Sequence, residues 1–161
     1  MALSLDPDQA LNGLLDLAER DKQTLKKLLN KHESAVRLCA ILGASKALTD
    51  FLRRHPDSLS IFERASSIDL GPVAYRNAIV EKVRPVLQTG FDTQDAWNAL
   101  RKAYRIELLK IAVFDLTSDD PELALPVVAA ALADIAGGAI EAGIEVAKAE
   151  LTHSKDHGIF T

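Results

Sequence analysis

The sequence predicts an all-α protein, a bundle-like arrangement of several helices. Apolar residues recur at spacings of three and four along most of the chain, which is the period of an amphipathic helix. No segment alternates polar and apolar residues as a half-buried strand does. Two helical stretches are also unusually long: a central helix over about 92–116, which no Gly or Pro interrupts, and a C-terminal helix over about 120–151.

The composition predicts one helical domain with a sizeable core. The chain has 161 residues, 48% of them apolar, and a formal net charge of −4. A chain of this length is one domain by default and buries about two-thirds of the surface that its unfolded form exposes. We therefore predict a single domain over residues 1–151, with residues 152–161 as a tail or the start of a further domain.

Charge and cysteine content argue against several classes of protein. Acidic and basic residues are interspersed without a basic run, so nucleic-acid binding is not expected. Cys39 is the single cysteine, which excludes a disulfide or a cysteine-rich metal site within one chain. The first ten residues lack the features of a signal peptide, and the apolar run over 123–133 is too short to span a bilayer. We predict a cytoplasmic protein without a membrane partner.

Five helices are expected in the first part of the chain, over about 5–20, 21–30, 32–42, 45–54 and 58–64. Asp6 is a suitable N-cap for the first helix, and Pro7 suits the first helical position. The apolar face predicted for that helix consists of Leu11, Leu14, Leu15 and Ala18.

Four residues set the boundaries around the predicted fourth helix. Gly43 is placed to end the third helix in the left-handed conformation that glycine tolerates. Ser45 can cap the fourth helix, and His55 ends it because a residue before proline, here Pro56, is disfavoured in the helical region.

A further helix is expected from about 72 to 88, and Pro85 should kink or end it. The central helix then begins with Asp92 or Thr93 as its cap. Its predicted apolar face consists of Trp97, Leu100, Tyr104, Leu108 and Ile111.

Charged residues border the apolar face of the central helix. Arg101 and Glu107 lie on its opposite sides, and Arg105 follows one turn after Arg101. Exposure to water or pairing between helices is the ordinary interpretation of such residues. Asp115 falls on the apolar face itself, so it needs a partner or a water-exposed helix end.

The last helix carries two apolar faces and begins with Ser118 or Asp119 as its predicted cap. We expect it to be buried on both sides, with Gly137, Gly138 and Gly143 allowing bending or close packing. One face consists of Ala124, Val128, Ala131, Ile135, Ala139, Ala142 and Val146, and the other of Ile140, Ile144 and Leu151.

No catalytic, cofactor-binding or metal-binding residues are predicted. The sequence has no phosphate-binding glycine loop, no zinc-binding histidine motif and no serine-nucleophile elbow. His153 and His157 are four residues apart, but they lie in a polar tail after the expected end of the last helix.

Three segments nevertheless resemble the bifunctional glutamine synthetase adenylyltransferase/adenylyl-removing enzyme family. The first runs from Leu42 to Pro56 and contains LGAS and RHP. The second, LRKAYRIELLKIAVFDL over 100–116, resembles the family pattern LRxxxRxELLRIAxRDL, from which it departs at Lys110 and Phe114. The third is the alanine-rich stretch over 131–151, which resembles the helix preceding the family's catalytic signature.

The resemblance implies an N-terminal helical fragment of a longer enzyme that adenylylates and deadenylylates glutamine synthetase. The family's nucleotidyltransferase domains carry a glycine-rich turn followed by an Asp-x-Asp pair that hold magnesium and ATP. The Asp-x-Asp of this sequence, Asp6-Pro7-Asp8, lies at a predicted helix start with no glycine-rich turn before it, so it is interpreted as a helix cap. No cofactor is therefore expected in the fragment. The implied partners are the following nucleotidyltransferase domain of the same chain, glutamine synthetase and the PII signalling protein.

The same resemblance marks eight residues for a structural or interdomain role, and the fragment is expected to support the catalytic domain and not to be catalytic alone. A stand-alone helical interaction module is the alternative. The marked residues are Gly43, Ser45, His55, Pro56, Arg101, Arg105, Glu107 and Asp115.

Overall fold

The computed structural model describes residues 4–64, 74–88 and 92–156, and these residues are helical almost throughout. The all-α prediction is confirmed, with both long helices present and no strand in the described residues. The elements are α1 (Pro7–Arg20), α2 (Lys22–Leu29), α3 (His32–Ala44), α4 (Lys46–Arg54), a 3₁₀ helix (Pro56–Ser60), α5 (Ile61–Arg64), α6 (Ala74–Gln88), α7 (Thr93–Thr117) and α8 (Pro121–Asp156).

Short polar side chains start most of these helices. The carboxylate of Asp6 accepts from the N–H of Gln9 at 2.9 Å, and that of Asp92 from the N–H groups of Gln94 and Asp95. Such bonds satisfy N–H groups that have no partner within the helix. At α8 the cap is Asp120, which accepts from the N–H groups of residues 122 and 123, so the prediction of Ser118 or Asp119 was wrong.

Asp21 performs the same role at the start of α2. Hydrogen bonds from the side chain and the backbone N–H of Thr24 hold the pKa of the Asp21 carboxyl below its ordinary value. Since the folded state favours the charged carboxylate, this cap supports α2 above the unfolded pKa of the group. Its contribution is lost as the pH falls through the lowered pKa.

The described residues form two compact units. The first takes residues 4–64 and 109–126, and the second takes 74–88, 92–108 and 127–156. Helices α7 and α8 each contribute residues to both units. The prediction of one domain over residues 1–151 stays a prediction.

In the first unit, α1 packs mainly against α3 and α4. The face it buries carries Ala10, Gly13 and Leu17, while Leu11 and Leu15 are 47% and 57% exposed. The predicted apolar face was therefore wrong by about a third of a turn. The reason is close packing, because a Cβ at position 13 would lie 3.1 Å from side-chain atoms of α3 and α4. The unit's fully buried large residues include Leu17, Leu28, Leu38, Ile41, Leu42, Leu52, Leu59 and Phe62.

In the second unit, α6 and α7 both contact α8. Arg76 and Arg84 of α6 form ion pairs with Glu141 and Glu145 of α8, at 2.6 and 3.2 Å. The ring of Trp97 in α7 approaches α8 closely enough that a Cβ at Gly143 would lie 3.9 Å from it. Helix α6 continues past Pro85 to Gln88, so the proline does not end it, and residues 72 and 73 of the predicted helix lie outside the described residues.

The first of the two apolar faces predicted for α8 is confirmed: six of its seven residues are buried, and Ala139 is half-buried. The opposite face is exposed, so the prediction that this helix is buried on two sides was wrong. Within the described part of the chain, the stretch Pro121–His153 is long enough to cross a membrane and contains a sufficiently apolar segment, by length and composition only. A core helix meets the same criterion, and the ion pairs to α6 place this helix within a packed unit.

Candidate interaction surface

The LGAS and RHP segment forms the two boundaries of α4. The hydroxyl of Ser45 accepts from the N–H of Leu48 at 3.3 Å, which confirms the predicted cap. The carbonyl of Ser45 also accepts from both the N–H and the hydroxyl of Thr49, each at 3.0 Å. Ser45 thus begins α4 and helps to fix Thr49 against the end of α3.

His55 and Pro56 end α4 and begin the 3₁₀ helix that follows. The N–H of His55 donates to the carbonyl of Phe51 at 2.9 Å, and the two rings lie 4.9 Å apart at an angle of 43°. Pro56 occupies the first position of the 3₁₀ helix, where a missing N–H costs nothing. The prediction that α4 stops here is confirmed, and both residues act at a helix boundary.

Gly43 lies inside α3 and does not end it. The helix continues to Ala44, and Ser45 follows with an extended backbone at φ −144°. A Cβ at position 43 would lie 2.8 Å from the carbonyl oxygen of Asp6 and would also collide with the hydroxyl of Ser4. The predicted left-handed helix end was therefore wrong, because the glycine serves to let the segment before α1 lie against α3.

A pair of hydrogen bonds from other helices meets at the same place. The side-chain amide of Gln9 donates to the carbonyl of Leu42 at 2.7 Å, and the hydroxyl of Thr49 approaches the same carbonyl at 3.4 Å. Sequence reasoning missed both donors. The signal that could have found them is the helix end itself, since its last carbonyls require donors from elsewhere.

The motif residues of α7 do not form one cluster. Arg101 and Arg105 are exposed on one face of the helix in the second unit. The guanidinium of Arg101 donates to the side chain of Asn98 at 3.3 Å, and none of the described residues pairs with Arg105. Two exposed guanidinium groups one turn apart can bind carboxylates or phosphates of another surface.

Glu107 is more buried than its position on the helical wheel suggested, whereas Asp115 lies at a water-exposed helix end, one of the two environments predicted for it. Glu107, expected at the solvated border, is only 6% exposed. Asp115, expected on the apolar face, is exposed in the last turn of α7, where water reaches its carboxylate. The buried face of α7 is therefore rotated from the predicted one. The small residues Ala96 and Ala103 are buried, while Trp97 and Leu100 are half-buried.

The described residues contain no group of three or more His, Cys, Asp or Glu side chains that could hold a metal ion. His153 lies in α8, and His157 lies outside the part of the chain that the structure describes. Burial raises the pKa of the Cys39 thiol, which keeps it protonated and weakly nucleophilic at neutral pH.

The geometry thus defines an all-α segment whose motif residues lie at helix boundaries and along one long helix. Its sequence is similar to proteins named bifunctional glutamine synthetase adenylyltransferase/adenylyl-removing enzyme. The protein of Leifsonia xyli subsp. xyli is 35% identical over 152 residues, 92% of this chain and 15% of that protein. Those of Cutibacterium acnes and Mycobacterium tuberculosis are 36% and 31% identical, over 94% and 91% of this chain.

These similarities confirm the family resemblance drawn from the sequence: the chain corresponds to a segment of the bifunctional glutamine synthetase adenylyltransferase/adenylyl-removing enzyme family. The chain spans about 15% of the length of the curated relatives it matches. No family model matches the chain, and no solved structure matches it.

Proposed function

We propose that this chain is the N-terminal helical part of an enzyme that attaches AMP to glutamine synthetase and removes it, and so regulates nitrogen assimilation. In this proposal the helices support the adenylyl-removing nucleotidyltransferase domain and catalyse neither reaction alone. The observation that carries the proposal is the similarity over 92% of this chain to a segment that is 15% of the relative.

The positions of the motif residues support a structural role for the first segment. Gly43, Ser45 and His55 all act within the first unit, at a close helix contact and at two helix boundaries. Residues that fix such boundaries preserve the shape of a surface without touching substrate. A catalytic domain that packs on this unit would then depend on them indirectly.

Arg101 and Arg105 are the residues we propose for direct contact with the nucleotidyltransferase domain or with glutamine synthetase. Both side chains are exposed, and guanidinium groups suit carboxylate and phosphate partners. We further propose a cytoplasmic location, magnesium and ATP as cofactors of the catalytic domains only, and regulation through the PII protein. Neither nucleic acid nor a membrane is a proposed partner.

The test is phosphate-dependent release of AMP from adenylylated glutamine synthetase. The 161-residue chain is compared with a chain extended through the next domain. Phosphate-dependent AMP release requires carboxylates that bind a metal ion, and this sequence lacks the family motif that supplies them. We therefore expect release by the extended chain and none by the 161-residue chain. Release by the 161-residue chain would contradict the non-catalytic role, and no release by either would favour the interaction module.

The alternative, a stand-alone helical interaction module, is favoured by one observation. Helix α8 exposes Ile140, Ile144 and Leu151 on one face, and exposed apolar faces often bind other proteins. Reading the gene beyond codon 161 separates the two functions. A stop codon favours the module, and a strand followed by Asp-x-Asp favours the enzyme.

Replacing Arg105 tests the proposed interdomain contact. We expect Arg105→Ala to change the stability of the helical segment by less than about 0.5 kcal/mol, because the side chain is exposed and unpaired among the described residues. In the extended enzyme, loss of a charge-assisted bond should lower AMP release by roughly tenfold. Arg20→Ala, at an exposed arginine of α1, is the control and should leave the rate unchanged. If Arg105→Ala attached and removed AMP at wild-type rates, the proposed interdomain contact of Arg105 would be eliminated.

A further inference from the structure

Helix α2 and the residue that follows it expose a patch of lysines. The stretch 21–31 contains four basic residues and one acidic residue, so it carries a formal charge of +3, whereas the whole chain carries −4. All four basic side chains are exposed, and together they form the lysine patch: Lys22, Lys26, Lys27 and Lys31. Folding creates the patch, because α2 buries Leu25 and Leu28 in the first unit and leaves its polar side chains outside.

The charge of the lysine patch is not compensated within the part of the chain that the structure describes. None of the four lysines forms an ion pair there. The carboxylate of Asp21 caps α2, and that of Glu33 pairs with Arg37 at 3.3 Å. Glu19 and Arg20 precede the patch with opposite charges. The patch therefore keeps a surplus of positive charge.

Helix stability does not account for this arrangement. Lys26 and Lys27 lie in the last turn of α2, where they interact favourably with the partial negative charge of a helix C-terminus. Lys22 lies in the first turn, where a positive charge is unfavourable and no acidic residue balances it. Lys22 and Lys26 are also one turn apart, and like charges at that spacing destabilise a helix. A local arrangement that costs stability without a partner in the chain is typical of a functional surface.

We propose that the lysine patch binds an acidic, extended segment of a partner protein. The inference does not depend on the proposed enzymatic function. Lys22 and Lys26 lie on successive turns, so their Cβ atoms are about 5–6 Å apart. Alternate residues of an extended chain lie about 6.6 Å apart on the same side. Carboxylates on alternate residues of the segment can therefore pair with lysines on successive turns.

The polar residues among the lysines also suit a polypeptide. Gln23 and Asn30 are exposed on the side of α2 that faces away from Leu25 and Leu28. Their side-chain amides can both donate and accept hydrogen bonds. An extended segment presents backbone N–H and C=O groups that need such partners. The surface thus offers charge for the acidic side chains and amides for the backbone between them.

Lipid and nucleic-acid surfaces fit the patch less well. A helix that lies on a membrane inserts an apolar face, but Leu25 and Leu28 are 4% and 0% exposed, and Leu29 is the one exposed apolar residue of α2. A nucleic-acid duplex extends beyond the length of α2, which is about 12 Å. It would meet the rest of the chain, which carries a formal charge of −7. A short acidic segment covers the patch alone.

The contact should be weak and sensitive to salt. Exposed charge pairs each contribute little to binding, and salt screens them. We expect a dissociation constant on the order of 100 µM at about 20 mM salt, and binding at least roughly fivefold weaker at about 200 mM salt.

Fluorescence anisotropy with a labelled peptide of alternating glutamate and serine, about ten residues long, tests the proposal on the 161-residue chain. We expect Lys26→Gln with Lys27→Gln to weaken binding roughly fivefold. Lys46→Gln with Lys82→Gln removes the same charge at exposed lysines outside the patch and should weaken binding less than about twofold. Circular dichroism checks that both double variants keep the wild-type helix content. Equal weakening by the two would overturn the proposal, because net charge alone would then govern binding.

Nuclear magnetic resonance locates the contact. When the isotope-labelled chain is titrated with the acidic peptide to about 1 mM, the backbone amides of residues 21–31 should shift and those of α8 should not. A peptide with glutamine in place of glutamate is the control and should shift neither. The absence of shifts in residues 21–31 would overturn the proposal. Tighter binding to anionic vesicles or to duplex DNA than to the acidic peptide would overturn it in favour of a lipid or nucleic-acid partner.

Discussion

Gly43→Ala should lower the free energy of unfolding by about 2 kcal/mol. Overpacking typically costs about 1–3 kcal/mol, and here the added methyl would lie 2.8 Å from the carbonyl oxygen and 3.2 Å from the backbone nitrogen of Asp6. Backbone atoms cannot rotate away as a side chain can, so the cost belongs in the upper part of that range. The better helix propensity of alanine offsets about 1 kcal/mol of this destabilisation. Thermal unfolding followed by circular dichroism measures the result.

Gly13→Ala is the matched control in the same unit. Its added methyl would lie 3.1 Å from the ends of the Leu42 and Thr49 side chains, which can shift. We therefore expect a smaller loss than at Gly43. If the two variants were equally stable, the contact between Asp6 and α3 would not be the reason for a glycine at position 43.

Gly138→Ala should destabilise the second unit by a similar amount, about 2 kcal/mol, or roughly 4–8 °C in melting temperature. The added methyl would lie 2.8 Å from both the Cα and the carbonyl oxygen of Arg76, so α6 would have to move away from α8. That movement would also lengthen the ion pair between Arg76 and Glu141. Urea denaturation of the variant checks the expected loss.

The neighbouring glycine provides the control. Gly137→Ala adds a methyl that meets nothing within 4 Å, so helix propensity should stabilise the monomeric chain by up to about 1 kcal/mol. The two substitutions are chemically identical and one residue apart. Opposite signs are expected, and the same sign for both would contradict the close contact between α6 and α8.

The helices could be predicted from local chemistry, because caps and breakers act over a few residues. Asp6, Ser45 and Asp92 each accept backbone N–H groups within three residues, and His55 before Pro56 ends α4. The buried apolar face of α8 was also predictable, since its apolar residues repeat without interruption over many turns.

The faces of α1 and α7 were not predictable by the same reasoning. Hydropathy favours leucine as the inward residue, but close helix contacts use small residues, so α1 buries Gly13 and exposes Leu15. Glu107 is buried for a related reason, because the small residues Ala96 and Ala103 mark the buried side of α7. Only the packed structure shows where two helices approach closely.

Among the motif residues, only the local roles of Ser45 and His55 could be predicted from the sequence. The motif positions Ser45 and His55 act at the helix boundaries expected of them. Gly43 acts through Asp6, and the ion pair of Arg76 with Glu141 joins residues 65 positions apart. Nothing in the local sequence indicates partners at such separations.

The contacts around Leu42 have a consequence for the order in which the protein folds during synthesis. Gln9 and Thr49 lie 33 and 7 residues from the carbonyl they both approach, so all three are present once residue 49 has left the ribosome. Contacts at short separation form quickly, whereas the ribosome adds only about 5–20 residues per second. The packing of α1 on α3 and α4 can therefore form seconds before residues 109–126 complete the first unit.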